Sequence, residues 1–224
     1  TMIKNLIFDL GGVIVPLNRI ACLRAFDEIV GYKEFGQVLS SYRQIGFFEK
    51  FENGQISSKK FRQIIRINVS PVNEKGEKRV VTDRQIDYSL NRFLCDIPQD
   101  KIETLLFFKH DFRMLLLSNT NPIGMAKVRE LFRDKGYEME EIFEQLFLSY
   151  KMKCGKPGDK IFLDMAKKAK IKPEESLFID DSPANVEAAR KLGFNAVHYD
   201  TKQSLYQVVT AALEELEEGS VKND

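Results

Sequence analysis

Three short apolar runs end in side chains that can handle a phosphoryl group or a cation. Asn5-Leu6-Ile7-Phe8 leads into Asp9, Met114-Leu115-Leu116-Leu117 into Ser118 and Asn119, and Ser176-Leu177-Phe178-Ile179 into Asp180 and Asp181. Lys156 stands apart from them, just before Pro157. A carboxylate can attack phosphorus and form an aspartyl-phosphate. A hydroxyl and an amide can hydrogen-bond phosphoryl oxygens. Two adjacent carboxylates at the end of a buried strand are costly without a counter-ion, and a hard divalent cation such as magnesium removes that cost. A compact ammonium at Lys156 can neutralise both an attacking carboxylate and the anion it attacks. In Phe8-Asp9-Leu10-Gly11-Gly12 the glycines let the backbone approach an anion and aim N–H groups at it. Each of these has a plainer explanation when taken alone: a turn at Asp9-Leu10-Gly11-Gly12, capping at Ser118–Asn121 and Ser182-Pro183, a solvated lysine at Lys156. Capping accounts for one of the two aspartates at 180 and 181 but not readily for both.

What these residues share is the element that presents them. Apolar runs of four to six residues without alternation suit strands buried on both faces, as in a parallel sheet. A fourth run, Gln145–Leu148, ends in Ser149, and a weaker fifth spans Ala196–Tyr199. Helical spacing lies between them, clearest in Phe162, Met165, Ala166 and Ala169. Strand–helix alternation of this kind predicts an α/β core with a Rossmann-like, doubly wound parallel sheet. Ligands bind at the carboxyl ends of such strands, where Asp9, Ser118, Asn119, Asp180 and Asp181 would all emerge.

Residues 17–95 break the rhythm and read as an inserted helical cap domain, leaving 1–16 and 96–224 as the core. Phe47, Phe48 and Phe51 with the Asn53-Gly54 turn fit a helix and its exit. Ser57 or Ser58 would cap a second helix bearing Phe61, Ile64 and Ile65. Pro71–Thr82 has no apolar period and reads as an exposed loop. The acidic stretch Glu214–Gly219 reads as a solvated helix end.

The 224 residues are 43% hydrophobic and 30% charged, an ordinary globular balance. A formal net charge of +1 gives no global field to attract nucleic acid or an anionic membrane, so neither is expected as a partner. Cys22, Cys95 and Cys154 form no CxxC pair and are odd in number, which argues against a disulfide framework or zinc knuckle and fits a cytoplasmic location. Two histidines, His110 and His198, are too few for a multi-histidine zinc site and read as surface or edge positions. Ile3–Leu10 reads as a strand rather than a signal peptide, and no run approaches membrane-spanning length. Thr1 ahead of Met2 reads as an addition and carries no weight.

The order Asp, Ser, Lys, Asp-Asp along alternating strands resembles the haloacid dehalogenase-like superfamily. Its four motifs fall on Asp9, Ser118, Lys156 and Asp180-Asp181, and the helical insert after the first motif resembles that superfamily's small cap. The stretches Phe51-Glu52-Asn53-Gly54-Gln55-Ile56-Ser57, Leu117–Asn121 and Ile179–Asn185 are similar to a bacterial subgroup that includes α-glucose-1-phosphate phosphatases. The resemblance implies a magnesium-dependent phosphatase acting on a small phosphorylated metabolite, with Asp9 as nucleophile. It implies metal contacts from Asp9, the Gly11 carbonyl and Asp181, with Asp180 acting through water. Phosphoryl oxygens would be held by Ser118, Asn119, Lys156 and the N–H groups of Leu10 and Gly12. Phe47, Phe48, Glu49 and Arg43 would be candidates to face substrate, although the two phenylalanines fit better as cap core. One departure matters. Phosphatases of the superfamily carry a second Asp two residues after the nucleophile as general acid and base, and Gly11 stands there. That glycine keeps two rivals in play, a metal-independent 2-haloacid dehalogenase and a non-catalytic phosphate-binding protein.

Overall fold

The structure, a computed structural model, describes residues 2–39 and 44–221. At its centre lies a five-stranded sheet of order β3-β2-β1-β4-β5, with every pairing parallel. The strands are β1 (Asn5–Phe8), β2 (Arg113–Ser118), β3 (Gln145–Leu148), β4 (Ser176–Asp180) and β5 (Asn195–His198). The chain builds outward from β1 through β2 to β3, then crosses back to place β4 and β5 on the other side. The reversal falls between β1 and β4, and such a sheet opens its crevice there, beyond the carboxyl ends of the strands. Asp9 follows β1 and Asp180-Asp181 closes β4, so the two acidic strand ends flank that opening.

The absence of alternation in the strands has a direct cause, because both sheet faces are covered. Leu6, Phe8, Met114, Leu116, Leu177 and Ile179 face one apolar cluster, and Ile7, Leu115, Leu117 and Phe178 face the other. Burying each such side chain fully contributes about 1.5–3 kcal/mol. A one-residue slip of β1 would draw Asp9 into the ladder among these apolar neighbours, which fixes the register strongly.

Helices α1 (Arg19–Ala25), α2 (Gly46–Glu52), α3 (Ser58–Ile67) and α4 (Asp83–Asn91) lie between β1 and β2. Their apolar faces, with Phe26 and Phe35 from the segment between α1 and α2, form a separate cluster that includes Phe48, Phe51, Phe61 and Ile86. The Phe51 and Phe61 rings stack at 4.3 Å. Among the described residues, Ile123 alone of the buried members comes from outside residues 22–90. Ser57, rather than Ser58, caps α3 by accepting the Lys60 N–H. Thr82 and Gln85 form a capping box on α4. The 71–82 stretch is more organised than a bare loop, since Val72 and Lys78 form an antiparallel bridge.

The rest of the chain supplies α5 (Gln99–Phe108), α6 (Pro122–Asp134), α7 (Met139–Ile142), α8 (Ser149–Met152), α9 (Asp159–Ala169), α10 (Pro183–Lys191) and α11 (Leu205–Val221). Helix α9 opens at Asp159 with Gly158 as its cap, two residues later than Pro157 suggests, and the Lys156-Pro157 peptide is cis. The acidic 214–219 stretch forms the largely exposed final turns of α11, a solvated helix end as its composition suggests. Among the described residues no helix is long and apolar enough to cross a membrane.

Candidate active site

Asp9, Ser118, Asn119, Lys156 and Asp181 line one cavity at the carboxyl edge of the sheet, together with Gly11. Asp180 lies directly behind it, with no exposed surface. Carboxylate oxygens of Asp9, Asp180 and Asp181 all fall within 4.8 Å of one another.

Lys156 organises this cluster. It is 3% exposed, and its ammonium lies 2.9 Å from Asp9 Oδ1, 2.6 Å from Asp180 Oδ2 and 2.9 Å from the Leu117 carbonyl. A lysine has three N–H donors, and all three are engaged. Burial works against the charge on Lys156, but Asp180 and Asp9 outweigh it and hold its pKa above the ordinary value. The main chain on which it sits is clamped by Asn119. The Asn119 amide donates to the Lys156 carbonyl at 2.9 Å and accepts the Lys156 N–H at 2.8 Å.

The two adjacent aspartates differ sharply in role. Asp180 Oδ1 accepts the Ser182 N–H at 2.8 Å, Asn185 Nδ2 lies 3.1 Å from both of its oxygens, and Lys156 holds Oδ2. Asp180 therefore secures the start of α10 and the position of Lys156. Asp181 is half-buried, and among the described residues its carboxylate meets only its own main-chain N–H. Burial and then Asp180 push its carboxyl up to about 6, against the pull of Lys156. Asp9 is pushed up to about 7 by burial, with Lys156 opposing and Asp180 and Asp181 reinforcing the shift.

Protein groups alone thus leave this cluster short of positive charge. A hard divalent cation supplies it, and the donor set fits magnesium: carboxylate oxygens and a free carbonyl, with no sulfur or imidazole. Oxygens on opposite sides of a magnesium lie about 4.2 Å apart, twice the usual bond length, so the cluster has the right dimensions. Among the described residues no donor meets the Gly11 carbonyl.

Gly12 has a different use from the one its sequence suggests. Its N–H donates to the Val15 carbonyl at 2.9 Å and is not turned to the cavity. Its φ is +81°, and a Cβ there would lie 2.2 Å from Asp181 Oδ2. Glycine at 12 therefore makes room for the Asp181 carboxylate. The Leu10 N–H also has a partner, donating to Asp9 Oδ1 at 2.7 Å. Asn119 likewise has its amide turned to Lys156 and not to a ligand. Ser118 is 2% exposed, with its hydroxyl 3.3 Å from the Asn119 carbonyl. Asn121 caps α6 through the Gly124 N–H, as the plainer reading of that segment has it.

From the insert, Phe48 and Glu52 line the cavity, and Phe48 is at the same time part of the insert's core. Phe47 packs against Phe61 at 5.5 Å. Glu49 borders a small adjoining pocket with Glu52 and Lys156. Arg43 lies outside the described residues. Glu52 carried no role in the sequence, although it sits in the Phe51–Ser57 stretch. Two other contacts gave no sequence signal. The exposed His198 donates from Nε2 to the Asp181 carbonyl at 2.9 Å. Lys101 is buried and donates to the Val13 carbonyl and the Tyr199 hydroxyl.

Comparison with known proteins agrees with this geometry. The model of the haloacid dehalogenase-like hydrolase family matches residues 3–193. A D-ribitol-5-phosphate phosphatase of Bacteroides thetaiotaomicron is 30% identical over 95% of this chain and 99% of its own length. A crystal structure of an enzyme of this family from the same organism, an Asp-to-Ala mutant in complex with magnesium and inorganic phosphate, is 35% identical. It superposes with a TM-score of 0.83 over 90% of this chain and 96% of that one. A family hydrolase from Porphyromonas gingivalis gives a TM-score of 0.84 at 34% identity, covering 95% of this chain and 98% of its own. On the four motif positions, the switch-point geometry and these matches together, the chain belongs to the haloacid dehalogenase-like hydrolases.

Proposed function

We propose that the protein hydrolyses a small phosphorylated polyol or sugar, with Asp9 taking the phosphoryl group and water then releasing it. The protein is a magnesium-dependent phosphoric monoester hydrolase. The observation that carries the residue assignment is the joint placement of Asp9, Asp181 and Lys156 around one opening, with Asp180 locking Lys156 from behind.

Asp9 Oδ1 is steadied by the Leu10 N–H and by Lys156, and no donor among the described residues meets Oδ2. The carboxylate is thus oriented before substrate arrives, which lowers the entropic part of the barrier. Asp9, the Gly11 carbonyl and Asp181 would hold the magnesium, with Asp180 one layer behind. Bound there, the cation would neutralise charge on the phosphoryl oxygens, the main source of catalysis in this reaction. Lys156 contributes a second positive charge in a buried setting, where it acts more strongly than in water. Ser118 offers its hydroxyl to an equatorial oxygen. Residues 17–95 act as a cap over a core of 1–16 and 96–224, and they exclude bulk water from the aspartyl-phosphate. The free thiols of Cys22, Cys95 and Cys154 are in keeping with a cytoplasmic setting.

The polyol assignment rests on the curated relative and on one polar group. Asn91 lines the cavity, and its Oδ1 is buried with no hydrogen-bond partner among the described residues. A substrate hydroxyl would satisfy it. A metal-independent dehalogenase would have no use for three gathered carboxylates, which makes that rival the weaker account of the site.

The test is a panel of polyol and sugar phosphates assayed with magnesium and after chelation. Turnover that chelation abolishes and magnesium restores is expected. Asp9→Asn should lower it by at least about 10,000-fold while leaving the circular dichroism spectrum intact. Activity surviving in Asp9→Asn would remove the nucleophile assignment.

A further inference from the structure

A phosphate ester of an ordinary alcohol leaves as an alkoxide unless a proton reaches its oxygen. Gly11 cannot supply one, and its surroundings are not an open gap awaiting a side chain, since a Cβ there would lie 3.3 Å from Leu17 Cδ1. Lys156 has its three donors committed, and Asp180 is fully hydrogen-bonded. His198 is exposed and turned to a main-chain carbonyl, while His110 lies beside Arg113, at the opposite end of β2 from Ser118. Asp9 is the nucleophile and Asp181 would hold the metal, so among the described residues lining the cavity one acidic group remains.

We infer that Glu52, brought into the cavity by the last turn of α2, donates the proton to the leaving oxygen and then accepts one from the attacking water. The inference deepens the phosphatase reading above and rests on it. Glu52 shares the cavity with Asp9, Lys156 and Asn119. Among the described residues no hydrogen bond or ion pair engages its carboxyl, which leaves it open to a ligand. Although it belongs to the insert, its main chain is pinned to the core. The Ser149 hydroxyl lies 2.6 Å from the Glu52 carbonyl and donates to it, and Lys153 Nζ lies 2.7 Å from the Gly54 carbonyl. Gly54 packs so closely on the Tyr150 carbonyl that a Cβ would approach to 2.1 Å. A catalytic acid needs such a fixed position relative to the nucleophile.

Among the described residues, the charged groups facing Glu52 are Asp9 from the loop after β1, Glu49 from its own helix and Lys156 from the segment before α9. Burial, then Asp9, then Glu49 push its carboxyl up to about 8 against the pull of Lys156 in the metal-free protein, which favours the protonated form that a general acid needs. In the first step the Asp9 oxygen bonds to phosphorus, the bond to the leaving oxygen breaks, and the Glu52 proton passes to that oxygen to give the alcohol. In the second, water attacks phosphorus and gives a proton to the Glu52 carboxylate. The bond between Asp9 and phosphorus then breaks, inorganic phosphate leaves, and both side chains return to their starting forms.

The test compares wild type with Glu52→Gln, both loaded with magnesium, on two substrates followed by rapid quench. One is the polyol phosphate that wild type turns over fastest. The other is p-nitrophenyl phosphate, whose leaving group needs no proton. Loss of a general acid should slow the first turnover of the polyol phosphate by about 100-fold or more. The p-nitrophenolate burst should stay within about threefold of wild type and be followed by a slower steady state, because the second step also uses Glu52. Equal losses in both first turnovers, or an unchanged polyol phosphate rate, would overturn the assignment. Wild type that turned over neither substrate would remove it as well, and would place the failure in the phosphatase reading.

Discussion

The two halves of the cavity are built on opposite principles. On the core side the groups around Lys156 are matched: Lys156 has three acceptors, Asp180 has several donors, and the Asn119 amide closes a two-way clamp on the Lys156 main chain, while the atoms left open there are those that would hold the cation. On the insert side, the carboxyl of Glu52 and the Oδ1 of Asn91 have no partner among the described residues. A matched group is fixed and resists change, whereas an unmatched buried polar group favours whatever ligand completes it. The phosphoryl group is the same in every substrate and suits the fixed half. The leaving alcohol varies and suits the half with open valences.

The contrast is most open to attack at Lys156. Replacing it with Ala leaves Asp9 and Asp180 buried without their shared cation. Breaking a buried pair from one side costs about 3–5 kcal/mol. Urea denaturation of the metal-free protein should show that loss, and kcat/KM with magnesium should fall by at least about 100- to 1,000-fold. A stable Lys156→Ala protein would mean that the core side is far less rigid than its hydrogen bonds indicate.

A second test separates the halves by pH. With a polyol phosphate, kcat/KM reports the free enzyme, and a Glu52 that must be protonated becomes inactive as pH rises through its pKa, which burial, Asp9 and Glu49 hold above the ordinary carboxylate range and which magnesium on Asp9 would draw down. The rate should therefore drop tenfold per unit above that point. In Glu52→Gln this alkaline limb should vanish from the much lower residual rate. If the limb persisted unchanged, the falling rate would belong to another group.

These tests also mark what the sequence made legible. Strand ends at Asp9, Ser118 and Asp180 were readable because runs buried on both faces must stop where a charge appears, and parallel strands gather those stops at one edge. The role of Glu52 was not readable. It depends on α2 folding back so that Ser149 and Lys153 grip residues 52–54, a contact across 97 positions for Ser149 and Glu52. The partners of Leu10 and Gly12 N–H were equally hidden. A glycine-rich turn suggests anion-binding amides, but local hydrogen bonding had already taken both, and the Gly12 glycine answers to the bulk of Asp181.

Gly12→Ala sharpens that last point. A left-handed backbone at φ +81° costs a non-glycine residue about 1–2 kcal/mol, and the new Cβ would press on Asp181. Magnesium affinity, read by isothermal titration, should weaken by about tenfold or more, while Glu52-dependent discrimination between the two substrates should be kept. Unchanged affinity would show that Asp181 has room to move and that the core side is not packed to tolerance there.

The smallest effect belongs to Asn91, and it tests whether open valences on the insert side select the alcohol. Asn91→Leu removes the unpaired acceptor and keeps a side chain of similar size. A neutral hydrogen bond contributes about 0.5–1.5 kcal/mol net, so KM for the preferred polyol phosphate should rise by about two- to twelvefold. A phosphate ester with no hydroxyl has nothing to offer Asn91 in either protein, and its KM should hold steady or fall slightly, since an unsatisfied buried oxygen is gone. Equal shifts for both esters would place Asn91 in the packing of α4 and leave Glu52 as the one insert residue answering to the substrate.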